Sequence, residues 1–496
     1  DRWERMTSGL PDKDGLADTL QAAVKDDPKK FTDAINEFFE MDYFYLHRIL
    51  RGLKDVWNDG KDIDWESILK FGVKYFDRDK NVIIKEALLA QGEDSGGGRY
   101  LWIVDDFVDL IADGSRNDER AFDPKFFDSA GKIFDLVVPL LKGEKHPDTQ
   151  RDARTYALNT TLGRVVMDFV SFSLRVARSS GKKETRWGEK KFEKFFSIGI
   201  DAFIWFGSYL PQMKYLDEDY AKLKIKHFEN LEIEDFEWQM FMEGYLMGSR
   251  IYQDLYHFMR GNYIKALESQ VFDGRVEQKL VEHVCIGYLN TYELLQPKNE
   301  DGQESLFLKM LNESGKQSKP DRWSDAVSFF WSITGKTERK KKDSEDGLSD
   351  KEKAKIEEFW RWTYENQEIA KNNLGENYGS FLGKLAELTI ILNKIDEEKE
   401  KWLMLCAPYV DSHHNVIFFV EYLAKFDDAE SIQRIGKIYN KILEHTTPTF
   451  HQEHIELIVQ RVYEKGNKKE ADDICNTYGR RGVDFLKPLW QKYNND

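Results

Sequence analysis

The stretch NTTLGRVVMDFVSFSLRVARSSG, residues 159–181, decides the fold class that the sequence predicts. One set of its apolar residues falls on a single helical face: Leu162, Val166, Phe169 and Val176. Asn159 is of a type preferred at helix N-caps, and Gly181 is of the type that commonly follows a helix end. The stretch therefore predicts an amphipathic helix with one buried face.

The same pattern recurs along most of the chain. Asp27 with Pro28, and Asp123 with Pro124, predict helix starts, because an Asp N-cap followed by Pro at the first helical position is a favoured combination. Asp64 is a further N-cap candidate. No run of alternating β-branched residues is long enough to predict a sheet. The sequence therefore predicts an all-α fold, an irregular HEAT-like or tetratricopeptide-like solenoid of antiparallel helix pairs.

Length and composition agree with a large folded array. The chain has 496 residues, well beyond the roughly 150 of a typical domain. Hydrophobic residues make up 41% and aromatic residues 14%, which indicates a large core and not an acidic disordered chain. Lys and Arg number 73 against 89 Asp and Glu, a net charge of −16, which argues against wholesale binding of nucleic acid.

Cysteine usage and hydropathy predict a cytoplasmic protein. Cys285, Cys406 and Cys475 are far apart and odd in number, which is typical of a reducing compartment without a disulfide framework. The most apolar stretch, Ala202–Met213, is much shorter than the roughly 20 residues that span a bilayer. No signal peptide opens the chain, and because Asp1 stands where a Met would begin a gene product, we expect a processed chain or a fragment.

Three loop-like segments divide the chain: residues 91–98 (QGEDSGGG), 179–184 (SSGKKE) and 337–350 (TERKKKDSEDGLSD). The last is the strongest break, because it is charged and poor in apolar residues. We predict four parts: an N-terminal helical-repeat part over 1–180, a middle helical part over 181–336, a charged linker over 337–350 and a C-terminal helical-repeat part over 351–496.

Two segments resemble pieces of a nucleotide-binding site. Gly335-Lys336-Thr337 matches the end of a P-loop, but Phe330 occupies the position that requires a glycine, and the surrounding pattern is helical. Residues 101–106 (LWIVDD) resemble a Walker B strand, but the apolar pattern continues beyond them as a helix. We therefore predict no enzyme activity, no catalytic residue and no cofactor in this chain.

Histidine clusters are the only candidates for a metal site. They are His413-His414 and the sequence HQEH at 451–454, in which one residue separates the first His from Glu453. The inverted zinc-protease motif requires two. We predict solvent-facing histidines, no bound metal, and cysteines that act as small core residues.

Aromatic and basic clusters are the remaining candidates for partner contact. Trp360 with Trp362, and the run Tyr43–Tyr45, are interpreted mainly as packing between helices, with the remainder available to a partner. The basic run at 339–342 (RKKK) is followed at once by acidic residues, which favours a solvated linker over a phosphate site. The sequence does not specify the partner-binding residues.

Several segments resemble the long helical C-terminal regions of large bacterial anti-phage defence proteins. Such regions follow a STAND-class NTPase module, as in AVAST-like systems, or an effector such as a sirtuin-like NADase. The resembling pieces are LRGLKDVWNDGKDIDWESIL (50–69), ALNTTLGRVVMDFVSFSLRVAR (157–178), LYHFMRGNYIKAL (255–267), VEHVCIGYLN (281–290) and GNKKEADDICNTYGRRGVDFLKPL (466–489).

The resemblance implies a target-sensing region. Its ligand would be a phage protein, and recognition would permit an NTPase or effector module, in the same chain or a partner chain, to act. A homo-oligomer is a further expected assembly, whereas a membrane and nucleic acid are not expected partners. Two alternatives stay open: an assembly scaffold for the defence complex, and a nucleic-acid-binding array. A protein target bound along an inner, concave face would bury more than about 1,000 Å².

Overall fold

The computed structural model describes residues 13–78, 101–141, 153–181, 183–269, 271–272, 274–313, 321–340, 348–410 and 413–494. In this part of the chain all regular structure is helical, and the one β-type pairing is the isolated bridge between Lys298 and Glu304. The predicted all-α fold class is therefore confirmed. The predicted loop at 91–98 lies outside the described residues.

The chain forms two compact units, residues 1–262 and residues 263–496. This division differs from the four predicted parts, which stay predictions. Of the predicted linker at 337–350, the first four residues continue a helix, and residues 341–347 lie outside the described residues. The helix at the start of the predicted C-terminal part is present as Asp350–Glu365.

The first unit contains the following α-helices: α1 (Lys13–Asp26), α2 (Pro28–Asp33), α3 (Tyr43–Asn58), α4 (Trp65–Phe76), α5 (Leu101–Arg116), α6 (Phe127–Val137), α7 (Ala153–Asn159), α8 (Thr161–Ser180), α9 (Glu193–Phe196), α10 (Asp201–Ser208), α11 (Leu210–Leu216), α12 (Glu218–Asn230), α13 (Phe236–Gly248) and α14 (Gln253–Phe258). Helix α15 (Arg260–Glu268) continues into the second unit. Single 3₁₀ turns and one π-helical turn, Gly188–Phe192, connect several of them.

Helices α1, α3, α5 and α8 form a row in which each runs in the same direction as its neighbour. Between α3 and α5, Arg51 pairs with Asp106 at an early position, and Asn58 donates to Asp113 seven residues later on both helices. Pairs in the same order join the other neighbours: Asp18–Arg48 and then Lys25–Asp59 for α1 and α3, and Asp109–Arg164 and then Arg116–Asp168 for α5 and α8.

Helices α4 and α6 return in the opposite direction in a second layer. Trp65 at the start of α4 contacts Phe122 beyond the end of α5, whereas Phe76 at the end of α4 contacts Phe107 in the first half of α5. The order of ring contacts is likewise reversed between α6 and α8: Phe127 meets Phe172, and Phe134 meets Phe169. This unit therefore contains the predicted antiparallel helix pairs, stacked as in a helical-repeat array.

Several predicted helix ends are confirmed, and one cap is wrong. The side chains of Asp27 and Asp64 accept backbone hydrogen bonds at the starts of α2 and α4. Asn159 does not cap α8, because it is the last residue of α7; Thr160 takes that role, and its Oγ1 atom accepts from the N–H of Gly163 at 3.0 Å. Gly181, with φ of 61°, follows the end of α8 as predicted.

The apolar stretch Ala202–Met213 builds core helices. Every residue of α10 is buried, and α10 packs so closely on α13 that a Cβ atom on Gly244 would lie 2.0 Å from the carbonyl oxygen of Ile204. A glycine is required there because the two backbones touch. Among the residues that the structure describes, no helix has both the length and the apolarity to cross a bilayer.

The second unit contains the following α-helices: α16 (Gly274–Leu289), α17 (Leu306–Glu313), α18 (Arg322–Lys340), α19 (Asp350–Glu365), α20 (Gln367–Leu374), α21 (Tyr378–Leu385), α22 (Glu397–Cys406), α23 (His413–Leu423), α24 (Ala429–Leu443), α25 (Gln452–Lys465), α26 (Lys468–Arg480) and α27 (Lys487–Asn494). The three cysteines are buried and free, which confirms their predicted role as core residues. The Gly335-Lys336-Thr337 segment lies within α18, so its backbone does not form the loop that a P-loop requires.

Candidate protein-recognition surface

Two features of the first unit are candidates for a functional site, and helix α8 contributes residues to both. One is a network of charges between α3, α5 and α8, here named the charge ladder. Its members are His47, Arg51, Lys54, Asp105, Asp106, Asp109, Asp113, Arg116, Arg164 and Asp168. The other is an open groove between α6, α8 and the segment 183–191.

The charge ladder follows from the spacing of acidic residues on α5. Asp105, Asp109 and Asp113 are four residues apart and so lie on one face of the helix. The amino group of Lys54 lies 2.7 Å from an Asp109 carboxylate oxygen, and a guanidinium nitrogen of Arg164 lies 3.6 Å from the same oxygen. Asp109 is therefore held between a cation of α3 and a cation of α8.

Burial perturbs the acid groups of the ladder. Burial raises the pKa of Asp105 to about 7, although the positive charge of Arg164 acts to lower it. Burial, followed by the charge of Asp109, also raises the pKa of Asp168 well above its usual range. Asp109 keeps a lowered pKa despite burial, chiefly because its carboxylate accepts a hydrogen bond from Lys54 and is attracted by the charges of Lys54 and Arg164. Burial and the neighbouring charge of Asp109 therefore both favour the protonated form of Asp168.

A protonated carboxyl beside a carboxylate is the arrangement of many acid–base catalysts. Here Asp168 is fully buried, and its Oδ1 atom is 3.3 Å from Arg116. A substrate would not reach this carboxyl, and the groove is lined by other residues. We therefore interpret the ladder as a network that fixes the register of α3, α5 and α8.

The α6–α8 groove has an aromatic floor and a charged rim. Its volume is about 430 Å³. The floor is apolar: Phe127, Gly131, Phe169, Phe172, Val176, Ala177, Trp187 and Leu216. The rim is charged: Asp128, Lys132, Asp135, Lys183, Glu184 and Lys191.

Ring packing holds the floor in place. Trp187 stacks on Phe169 with centroids 5.9 Å apart and planes 13° apart. Phe172 stacks on Phe134 at 5.5 Å. The groove remains open beside them partly because Gly131 has no side chain, and a Cβ atom there would approach Phe172 no closer than 3.7 Å. The floor is therefore a continuation of the packed aromatic core that ends at the surface.

The wall that carries Trp187 is an irregular turn. Arg186 adopts a left-handed conformation with φ of 57°, and the π-helical turn begins two residues later. The N–H of Gly188 donates to Asp217 at 3.0 Å, and a Cβ atom on Gly188 would lie 2.0 Å from the Tyr220 ring. Glycine is needed at this position because the turn rests directly on that ring. Such π-helical turns are frequent at functional sites.

Most of the rim charges are available to a partner. Asp135 pairs with Lys194. Within the described residues, no side chain of opposite charge lies within ion-pair distance of Lys132, Lys183 or Lys191. The amino group of Lys183 instead lies over the ring of Tyr215 at 4.4 Å.

Beyond the rim, several large hydrophobic side chains of the first unit are exposed. They include Tyr215, Leu223, Tyr252 and Phe258, of which Leu223 is the most exposed at 66%. Lys222 of α12 lies over the Phe258 ring at 4.7 Å, and Lys214 of α11 pairs with Asp254 of α14. Leu223 is not part of the groove lining.

Of the aromatic clusters noted in the sequence, Trp360 and Phe44 are buried, whereas Trp362, Tyr43 and Tyr45 are half-buried. Trp360 is buried and lies 5.7 Å from Trp402, and Trp362 stacks on Trp323 at the same centroid distance. Phe44, within the run Tyr43–Tyr45, is buried. The groove was not identified from the sequence; its signal is that Phe172 and Val176 extend the apolar face of α8 beyond the width that one neighbouring helix covers.

Comparisons with known proteins leave the chain without a family. No protein-family description matches it, and no curated protein matches it in sequence. One similar solved structure is a chain from a structure of the Pds5–Scc1 complex, at 10% identity and a TM-score of 0.28, with coverage of 94% of this chain and 74% of that chain. A TM-score of this size does not indicate a shared fold, so it carries no argument here.

Proposed function

We propose that this chain is a non-enzymatic protein-recognition region and that the α6–α8 groove is its anchoring site. A bound protein would insert apolar side chains onto the aromatic floor and place charged groups against the rim. Desolvated pockets of this kind usually hold the residues that contribute most to binding energy. The groove is the single observation on which the proposal depends.

The size and rim of the groove favour side-chain anchors over an extended apolar interface. About 430 Å³ accommodates a few large side chains. Lys132, Lys183 and Lys191 offer three amino groups, whereas Asp128 and Glu184 offer two carboxylates besides the paired Asp135. We therefore expect a partner segment with aromatic or aliphatic anchors flanked by both signs of charge, with a small excess of acidic groups.

The resemblance to defence proteins supports the biological setting. Helix α8 lies in the resembling segment 157–178 and contributes much of the groove floor. In that setting the ligand is a phage protein, and its binding permits an NTPase or effector module, in the same chain or in a partner chain, to act. The enclosing protein would be a bacterial, cytoplasmic defence protein.

The experiment compares two substitutions of an apolar residue by an acid. Val176→Glu places a charge on the groove floor, and Leu223→Glu places the same charge on an exposed position outside the groove. The chain and both variants are used to capture phage proteins, and capture is quantified by mass spectrometry. We expect Val176→Glu to reduce capture of the specific ligand at least about ten-fold, because it buries an unpaired charge at the contact.

Leu223→Glu is expected to leave capture within about two-fold, because rim and distant charges mainly tune association rates. If the Val176→Glu variant captured as much ligand as the unaltered chain, the groove would not be the anchoring site. Concentration-dependent self-association that Val176→Glu abolishes, without capture of any phage protein, would favour the scaffold alternative.

A further inference from the structure

A second candidate site lies in the second unit, at the start of α25. His451, Glu453 and His454 each offer one ligand atom, and these atoms all lie within 4.8 Å of one another. The two imidazole rings are nearly parallel, with planes 8° apart and centroids 5.6 Å apart. The Nδ1 atom of His451 is 3.6 Å from a carboxylate oxygen of Glu453. Three side chains of types that bind metals therefore lie close together.

These ligand groups have spare binding capacity. The Nδ1 atom of His454 is buried and accepts or donates no hydrogen bond within the described residues. Glu453 has no Lys or Arg within ion-pair distance in this part of the chain. A buried ring nitrogen without a partner is destabilising, and a cation bound to that nitrogen would remove the penalty.

The backbone holds His451 in a costly conformation that no cap explains. Its φ of 53° and ψ of 51° place it in the left-handed region, and its side chain makes no capping hydrogen bond to α25. A residue with a Cβ atom adopts this conformation only at an energetic cost. Strain of this kind is concentrated at functional sites. Here it turns His451 back toward the first turn of α25, where His454 lies.

Neighbouring residues hold the loop that leads to His451. The hydroxyl of Tyr478 donates to the carbonyl oxygen of Pro448 at 2.6 Å. The guanidinium of Arg481 donates to the carbonyl oxygen of Leu443 at 2.7 Å, and it also contacts Thr447. The ligand on the loop is therefore positioned against the two ligands on the helix before any ion binds.

We propose that His451, Glu453 and His454 bind one divalent transition-metal ion of the zinc class. Two imidazoles and one carboxylate are a ligand set that zinc accepts, with the fourth position open to water or to a group of a partner. Imidazole ligands select such ions over Mg²⁺ and Ca²⁺. Small side-chain rotations would bring the ligand atoms to the separation of about 3.3 Å that tetrahedral zinc requires.

The carboxylate of Glu453 also offsets an unfavourable electrostatic effect on a bound cation. The N-terminus of a helix carries partial positive charge and disfavours a nearby cation. Glu453 lies in the first turn of α25 and supplies the compensating negative charge. The sequence predicted no metal because the spacing fits no zinc-protease motif; the proposed site instead depends on the turn that His451 makes before the helix.

The test is metal binding by the full chain. Zn²⁺ is titrated in competition with a chromogenic chelator, and Co²⁺ is used as a spectroscopic probe of coordination. We expect one Zn²⁺ per chain and a visible Co²⁺ absorption band typical of four ligands. His454→Ala and Glu453→Gln should each weaken Zn²⁺ binding about ten-fold or more and remove the Co²⁺ band.

His445→Ala is the matched control, because His445 is also exposed and precedes α25 but lies outside the cluster. It should bind Zn²⁺ within about two-fold of the unaltered chain. Far-UV circular dichroism checks that each variant remains helical. The absence of a stoichiometric Zn²⁺ site in the unaltered chain, or equal loss in His445→Ala and His454→Ala, would overturn the proposal.

Discussion

At the scale of single residues, Asp105 gives the clearest link between burial and stability. Its pKa is raised from 3.8 to about 7, first by burial. Because the folded-state pKa lies above the unfolded-state pKa, ionisation of Asp105 destabilises the folded chain. This destabilisation is absent below about pH 4 and reaches its full size above about pH 7. Asp105→Asn should therefore raise the free energy of unfolding at pH 8 by about 1–3 kcal/mol and leave it unchanged near pH 4. Urea unfolding at both pH values measures the difference.

Asp118 provides a control of opposite sign. Hydrogen bonds from Arg178 lower its pKa, so its contribution to stability is present at neutral pH and is lost as the pH falls. Asp118→Asn should therefore be destabilising at pH 8. If Asp105→Asn were destabilising at pH 8 as well, attraction to Arg164 would outweigh the burial of Asp105, contrary to our account.

Gly131 supports a second prediction at this scale. It lies in the middle of α6, and a Cβ atom there would meet Phe172 at 3.7 Å, an ordinary van der Waals distance. Gly131→Ala should raise the free energy of unfolding by about 0.5–1 kcal/mol, because alanine loses less backbone entropy in a helix. Chemical denaturation of the whole chain tests this. A loss of stability would contradict the space that the structure shows between position 131 and Phe172.

Asp105 and Asp106 show which features of the charge ladder could be predicted from the sequence and which could not. The adjacent carboxylates Asp105 and Asp106 were recognised, and their helix was predicted correctly. Their partners were not predicted, because Asp106 pairs with His47, 59 positions earlier. Helical periodicity specifies which face of α5 is polar, but it does not specify which helix meets that face.

At the scale of elements, the π-helical turn Gly188–Phe192 is the feature most sensitive to substitution. Gly188→Ala would place a Cβ atom 2.0 Å from the Tyr220 ring. We expect a loss of about 2–4 kcal/mol in the free energy of unfolding, because the turn and α12 must separate. Gly131→Ala is the matched comparison: the same substitution beside the same groove should act in the opposite direction.

Tryptophan fluorescence tests this prediction locally when the emission of a matching Trp187→Phe variant is subtracted, because the chain contains 13 tryptophans. Trp187 precedes Gly188 and stacks on Phe169, so displacement of the turn should shift its emission toward the red. Fluorescence and denaturation curves identical to those of the unaltered chain would contradict the tight contact between Gly188 and Tyr220.

The helices were predictable and the π-helical turn was not, for a physical reason. Caps such as Asp64 satisfy local backbone N–H groups, so residues close in sequence specify where α4 begins. The turn at 188–192 instead depends on Asp217 and Tyr220, about 30 residues further along the chain. The sequence predicted a loop at 179–184, and its residues 183 and 184 form part of the groove rim.

At the scale of the whole molecule, recognition by helical arrays depends on surfaces that local patterns do not reveal. The apolar positions of α8 predicted a buried face, but α6 and the segment 183–191 leave part of that face open. Whether an apolar side chain is covered depends on the distance between neighbouring helices, and Gly131 increases the uncovered space here. The all-α class was therefore predictable from the sequence, whereas the groove required the packing.

If the α6–α8 groove contacts a phage protein during infection, photo-cross-linking in infected cells will capture that contact. A photoreactive amino acid replaces Lys132 on the rim or, as the control, Leu223 outside the groove. Infected cells that express each variant are irradiated, and cross-linked proteins are identified by mass spectrometry. We expect a cross-link to a phage protein from position 132 and none from position 223. Cross-links to phage protein from position 223 alone, or from neither position while defence persists, would contradict the proposed contact.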